Sequence, residues 1–385
     1  MSTLRVEKIE SLEALDTLGP EWRELEAASG NGLPFMTWEW SSSWWSHFHE
    51  SRSSVRDTLF VRALRSESGE LLAVAPLMLT ERPAVGPLRL RQLHFFGADP
   101  NLTELRGVLC RPGSERTVYG ALLDHLQAEP GRWDWIVWSG ILADTDAAAI
   151  LEQRGEIRYE RSAFLLPLAP SWEQFRSGLK RNIKESLRKC YNSLKRDGHF
   201  FDLEVVRQRD QVPRALDEFF RLHAARAELD GTVRHGDAFD FAAARRFLVE
   251  VCQRLADRDA TRIFLLRIGG APVAARVGFA LNGTLYLYYS GYDPDWAKYS
   301  AMTTTVAEAI KYAISEGFSA VNLSTGNDVS KTRWGPRELA YLEAVVLSGS
   351  PRARIVYPAY QAVLKAARSE PGRALTRKFL ARRAH

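Results

Sequence analysis

The run TLYLYYSGYDPDWAKYSAMTTTVAEAIKYAISEGFSAVNLST (residues 284–325) reads as a strand, a loop, a helix and a second strand in succession. Asn282-Gly283 ahead of it is a strong hairpin turn, and Gly317 ends the helix over 302–316. If the strand over 284–292 alternates, Tyr286, Tyr288 and Ser290 share one face and Leu285, Leu287 and Tyr289 the other. Ser300 or a threonine after it is the expected N-cap. The N–H groups of that first turn have no partner within the helix and sit at the positive end of its dipole. The stretch Lys298, Tyr299, Ser300, Ala301, Met302, Thr303, Thr304 is therefore a candidate anion cradle, with the dipole contributing ~0.3–2 kcal/mol to a bound phosphate. An ordinary capped helix beside a surface lysine has the same spacing.

Upstream, IFLLRIGG (263–270) turns into PVAARVGFAL (272–281), and LFVRALRSESGELLAVAPLML in the first half repeats that order. Strands are expected at 58–65, 71–80, 88–97, 105–111, 134–141 and 164–168, with TLFVRALR and LLAVAPLMLT forming a hairpin. Strands and helices alternate in an α/β manner. The echo implies duplication of one unit of ~170 residues. Expected are tandem domains at 1–169 and 170–350, each a mixed, mostly antiparallel sheet flanked by helices, and a basic helical extension at 351–385.

The 385 residues are of ordinary globular composition, 45% hydrophobic and 26% charged, with no run approaching the ~20 apolar residues of a membrane span. The first sixteen residues lack the apolar core of a signal peptide. Cys110, Cys190 and Cys252 are far apart, which suits a reducing cytoplasm. Charge is uneven: residues 1–170 hold 17 Lys/Arg against 24 Asp/Glu, and residues 171–385 hold 35 against 23. The second half therefore faces anions.

No metal signature, P-loop, nucleophile elbow or dinucleotide fingerprint is present, so the chemistry expected needs neither a metal nor a covalent nucleophile. His223, in FFRLHAARAELDG, is a candidate base because imidazole titrates near neutrality. Lys331, in STGNDVSKTRWG, follows a glycine turn after a strand and is a candidate for neutralising an oxyanion. Arg181, Lys184 and Arg188 share one face of a helix over 179–197; that face is either solvated or binds an anionic substrate. The aromatic stretch WEWSSSWWSHF is either core or the wall of a substrate groove.

In order along the chain, PFMTWEWSSSWWSHF, GELLAVAPLML, GLKRNIKESLRKCYNSLKRDG, FFRLHAARAELDG, YYSGYDPDWAKYS and AISEGFSAVNLSTGNDVSKTRWG resemble the CelD/FemAB-like branch of the GNAT acyltransferase superfamily. The resemblance spans roughly residues 5–350. It implies direct transfer of an acyl group from acyl-CoA to a small-molecule amine on an amino sugar or amino acid. It also implies Lys331 and His223 as catalytic residues, Tyr288, Ser290 and Lys298 to Thr304 at the donor, and Arg181, Tyr292 and Asp328 at the acceptor. Relatives of FemAB type use an aminoacyl-tRNA instead, and a non-catalytic scaffold in polysaccharide biosynthesis is the remaining alternative. Two departures stand out: Tyr299-Ser300-Ala301-Met302 where relatives read Tyr-Ser-Pro-Gly, and Gly326-Asn327-Asp328-Val329-Ser330-Lys331 where they read Gly-x-Glu-x-Tyr-Lys.

Overall fold

The computed structural model describes residues 4–83, 89–99, 101–228 and 236–368. Its first half runs β1 (Arg5–Ile9), α1 (Leu12–Ser29), α2 (Trp38–Phe48), β2 (Arg56–Leu59), β3 (Val61–Arg65), β4 (Leu71–Ala75), β5 (Leu77–Pro83), β6 (Arg89–Phe95), β7 (Leu109–Cys110), α3 (Glu115–Gln127), β8 (Trp135–Leu142), α4 (Asp146–Glu152) and β9 (Glu156–Pro167). The second runs α5 (Trp172–Gly178), α6 (Arg181–Arg196), β10 (Phe201–Val206), α7 (Val212–Ala227), α8 (Ala242–Ala256), β11 (Thr261–Ile268), β12 (Ala271–Leu281), β13 (Thr284–Tyr292), α9 (Ala301–Ser315), β14 (Ala320–Thr325), α10 (Val329–Thr332), β15 (Arg337–Leu347) and α11 (Pro351–Arg368).

Local chemistry accounts for the helix ends. Ser11 and Thr37 accept from the N–H groups of Ala14 and Trp40, and Gly30 closes α1 in the left-handed conformation. Asn282 and Gly283 both have positive φ, as a tight hairpin turn requires.

Among the described residues, eleven strands form one sheet in the order β10-β11-β12-β13-β14-β9-β15-β8-β6-β5-β2, and β1-β3-β4-β7 form another. Two neighbours in the large sheet are parallel, β13 with β14 and β6 with β8; each half supplies one such pair. The last strand of each half crosses over. β9 lies between β14 and β15, and β15 lies between β9 and β8.

Several strands differ from the sequence reading. The hairpin over 58–80 breaks at Phe60 and Pro76, so its inner part joins the small sheet and its outer part the large one. Proline has no N–H to continue a ladder. The strand expected at 105–111 reduces to Leu109–Cys110, and the one at 164–168 extends back to Glu156. Arg373, Arg377, Lys378, Arg382 and Arg383 of the basic extension lie outside the described residues.

The aromatic helix α2 is core. Trp40 is buried edge-on against Phe35, Phe247, Phe279 and Tyr288, so it joins the two halves. Arg258, just beyond α8, reaches Glu26 and Glu39 of the first half at 2.8–3.0 Å. No helix among the described residues is long and apolar enough to cross a membrane.

Candidate active site

β13 pairs with β14 over three residues only, Thr284–Tyr286 against Ala320–Asn322. Beyond that the strands separate, leaving a wedge along the edge of β13 where β14 no longer pairs with it. A bulge lies on the β12 side, where Arg276 opposes Ser290 but Gly278 opposes Leu287. The bulge breaks the expected alternation. Tyr286, Tyr288 and Tyr289 all turn toward the aromatic core, and the Tyr288 and Tyr289 rings meet at 4.6 Å.

Glu104 closes the root of the wedge. It arrives from the first half on the segment before β7 and accepts from Tyr286 Oη of β13. Both its oxygens also lie 2.8 Å from Ser324 Oγ of β14. Ser324 is buried with φ +73°, outside the range a serine ordinarily adopts, and Asn322 Oδ1 accepts its N–H at 2.9 Å. Such strain costs about 1–3 kcal/mol and gathers where function over-determines the backbone.

Lys331 stands over the end of β14. Its Nζ donates to the carbonyls of Thr325 and Gly326 and lies 3.3 Å from Asp328 Oδ2. Gly326, at φ +95°, makes the turn that lets the ammonium approach. Burial lowers the Lys331 pKa against the opposing pull of Asp328 and Glu104. At Asp328 burial acts the other way, but its bonds from Ser330 and Lys331 outweigh it and keep the carboxyl below its usual range.

α7 packs directly on β13. A Cβ on Gly291 would lie 2.3 Å from the backbone nitrogen of His223. His223 is buried among Phe219, Phe239 and Tyr289, and Nδ1–H donates to Ser290 O at 2.9 Å. Among the described residues Nε2 has no hydrogen-bond partner, and it lies 3.6 Å from Asp237. Burial pushes its pKa down, so it is a neutral prop under β13. Arg226, one turn on, donates to Ser290 Oγ at 3.0 Å.

The donor end differs in character. A 3-10 turn over Pro294–Tyr299 leads into α9, and Ser300 occupies the N-cap with φ +54° and no side-chain cap bond. Tyr299, Ala301 and Thr304 are buried; Tyr299 Oη donates to Asp197 at 3.0 Å. The N–H groups of Thr303 and Thr304 turn back to Ser300 O. Lys298 and Ser300 are exposed, and Met302 and Thr303 half-buried. Tyr288 lies inside the core with Oη on Leu102 O, Tyr292 is half-buried, and Arg181 is 92% exposed and paired with Glu185. The wedge thus gathers Ser290, Lys331 and Asp328, with His223 behind it, and leaves Arg181 on the surface.

The equivalent wedge of the first half, between β6 and β8, is filled. The two strands pair at Gln92 and Leu93 only, and Arg106-Gly107 packs across β8 so closely that a Cβ on Gly140 would lie 1.6 Å from Arg106 O. The same segment carries Glu104 into the other wedge.

Residues 181–332 match the family model for an acetyltransferase (GNAT) domain. The span opens with α6 and closes with α10, so it contains both walls of the open wedge. That span is similar to GNAT-type acetyltransferase domains. The crystal structure of FemX superposes with a TM-score of 0.59 at 13% identity, over 93% of this chain and 99% of that one, so the fold is shared along nearly the full length. L-PGS from Bacillus licheniformis (TM-score 0.48, 13% identity, 91% and 97% covered) and a tandem GNAT protein from the clavulanic acid biosynthesis pathway (0.45, 12%, 90% and 99%) are more distant. No curated protein matches in sequence. Three polar groups of the wedge escaped the sequence reading: Glu104, Arg226 and Arg276. Arg226 alone had a signal, as the arginine of LHAAR.

Proposed function

We propose that the chain is an N-acyltransferase that moves an acyl group from acyl-CoA to the amine of a small molecule within the β13–β14 wedge. The observation that carries this is the early parting of two parallel strands, with a carboxylate from the other half at the root of the opening. A thioester carbonyl fits along the free edge of β13, with its carrier running toward the start of α9. Ala301 and Met302 N–H have no acceptor within the helix, and Lys298 stands beside them. The amine nitrogen attacks the carbonyl carbon, and Glu104 takes its proton. Lys331 steadies the negative charge that gathers on the carbonyl oxygen. The C–S bond then breaks, and the thiolate leaves and is reprotonated. His223 holds Ser290 O from behind and touches neither reactant.

The test is a thermal shift with acetyl-CoA, longer acyl-CoAs and bare CoA. Acyl-CoA at 100 times its Kd stabilises by about 2.7 kcal/mol, which is several degrees in Tm. No shift with any of them overturns the donor assignment.

A second reading, an aminoacyl-tRNA donor, is favoured by one observation. Tyr299, Ala301 and Thr304 are packed rather than open, while Arg181, Arg188 and Lys189 lie exposed along α6. Charged tRNA would then shift in a gel, with affinity falling steeply as salt is added.

A further inference from the structure

Two arginines reach the wedge from different elements and are left short of partners. Arg276 lies on β12 opposite Ser290. Among the described residues its side chain makes one hydrogen bond, a long one from Nη2 to Leu287 O at 3.3 Å, and its buried Nε has no partner. Arg226 comes from α7 and spends Nη1 on Ser290 Oγ. A guanidinium carries five N–H donors. Among the described residues neither arginine is ion-paired, whereas Arg62 pairs with Glu10, Arg258 with Glu26 and Glu39, and Arg262 with Asp259.

The two guanidiniums also oppose each other. Burial, then the charge of Arg226, pushes the Arg276 pKa down to about 10, while Glu104 and Asp328 act the other way. Burial lowers Arg226 too. The nearby carboxylates are engaged elsewhere, Glu104 by Tyr286 and Ser324, Asp328 by Ser330 and Lys331. Unpaired buried charge is costly unless something supplies the counter-charge. The cost is tolerable if the counter-charge arrives with a ligand.

We propose that the acceptor carries an anionic group beside its amine, held by Arg226 and Arg276 while Glu104 receives the amine proton. This rests on the transferase reading for the amine but not for the anion. The acceptor class is then an amino acid or an amino-sugar phosphate, carboxylate and phosphate being alike to a pair of guanidiniums.

The experiment uses direct binding, so that it reports without turnover. Calorimetry on the full chain takes a panel of free amino acids, their carboxamides, glucosamine and glucosamine 6-phosphate, with and without acetyl-CoA. Expected is binding of an anionic probe at least ten times tighter than its neutral counterpart, with the amino acid and sugar-phosphate arms separating the two sources. Arg276→Gln and Arg226→Gln should weaken the anionic probe 10–100-fold and leave the neutral probe and acetyl-CoA unchanged. Arg276→Met, similar in length, replaces Arg276→Gln if that variant does not fold by circular dichroism. Equal binding of anionic and neutral probes, or no anion binding, overturns the proposal. So does loss of acetyl-CoA affinity in the variants, because the anion would then belong to the donor. Anion binding without acetyl transfer to any probe leaves the site standing and overturns the transferase reading instead.

Discussion

Glu104 joins Tyr286 and Ser324 across 182 and 220 residues of sequence. That distance is why no pattern in NLTELRG marked it: a carboxylate in a loop has no periodicity, and its role exists only once the first half is folded against the second. Lys331 was legible because a lysine after a strand and a glycine turn is local. Glu104→Gln keeps an acceptor for Tyr286 and Ser324 and removes the group proposed as base. It should lower kcat by about 10²–10⁴-fold and leave acetyl-CoA binding within about twofold. Steady-state rates check this, and a loss under tenfold removes Glu104 as the base. His94 is a residue of a different kind. Burial, with Arg82 and Arg106 nearby, holds its pKa down to about 3, and among the described residues its Nε2 has no partner. The unfolded chain therefore binds a proton below about pH 6.5 that the folded one refuses until about 3. Stability is full above that window and falls as pH drops through it, by at most about 1.4 kcal/mol per pH unit. Urea midpoints from pH 7 to 5 should show this slope, and His94→Leu should remove one proton's worth of it; an unchanged slope rules His94 out as the source.

Helices and strands were read from the sequence better than their edges were. β13 and β14 fall on the expected residues because the Asn-Gly turn and Gly317 bracket them. The wedge between them is not legible in the sequence, since strand pairing that stops after three residues leaves no mark in a periodicity. The bulge that brings Tyr289 to the side of Tyr288 is equally silent, being set by how β12 and β13 pair. Close contact between α7 and β13 has a sharper consequence. An alanine at Gly291 would put Cβ 2.3 Å from His223 N and 2.4 Å from Leu222 C, backbone atoms that cannot rotate away. Gly291→Ala should destabilise by about 1–3 kcal/mol and lower kcat as Ser290 shifts. Gly120→Ala in α3, where no atom lies within 4 Å, should be neutral or stabilise by about 0.5–1 kcal/mol. Chemical denaturation of the two variants side by side measures the contrast, and equal midpoints would mean that α7 yields to β13.

At the scale of the molecule, the repeat seen in the sequence and the hydrogen bonding of the sheet divide the chain differently. By similarity there are two modules, each with one parallel pair. By pairing there is one sheet, because β9 and β15 are exchanged across it. The exchange is what seats Glu104 firmly: Arg161, on β9, donates from Nη1 to Glu104 O at 2.7 Å, and β9 is held on its other edge by β15. A chain cut between 169 and 170 loses the pairing of β9 with β14 and β15, that of β15 with β8, and the bonds of Glu104 to Tyr286 and Ser324. The piece 1–169 would expose the edge of β8 where β15 belongs, and the piece 170–385 would leave β14 and β15 without the strand that separates them. Unpaired interior edges of this kind invite aggregation. Each piece expressed alone should therefore be insoluble or unfold without cooperativity, whereas the two expressed together should assemble and recover acyl transfer. Circular dichroism melts of the separate and combined pieces decide it. A cooperative transition in 170–385 alone, with acetyl-CoA binding intact but turnover absent, would show that the first half contributes Glu104 without being needed for the fold of the second.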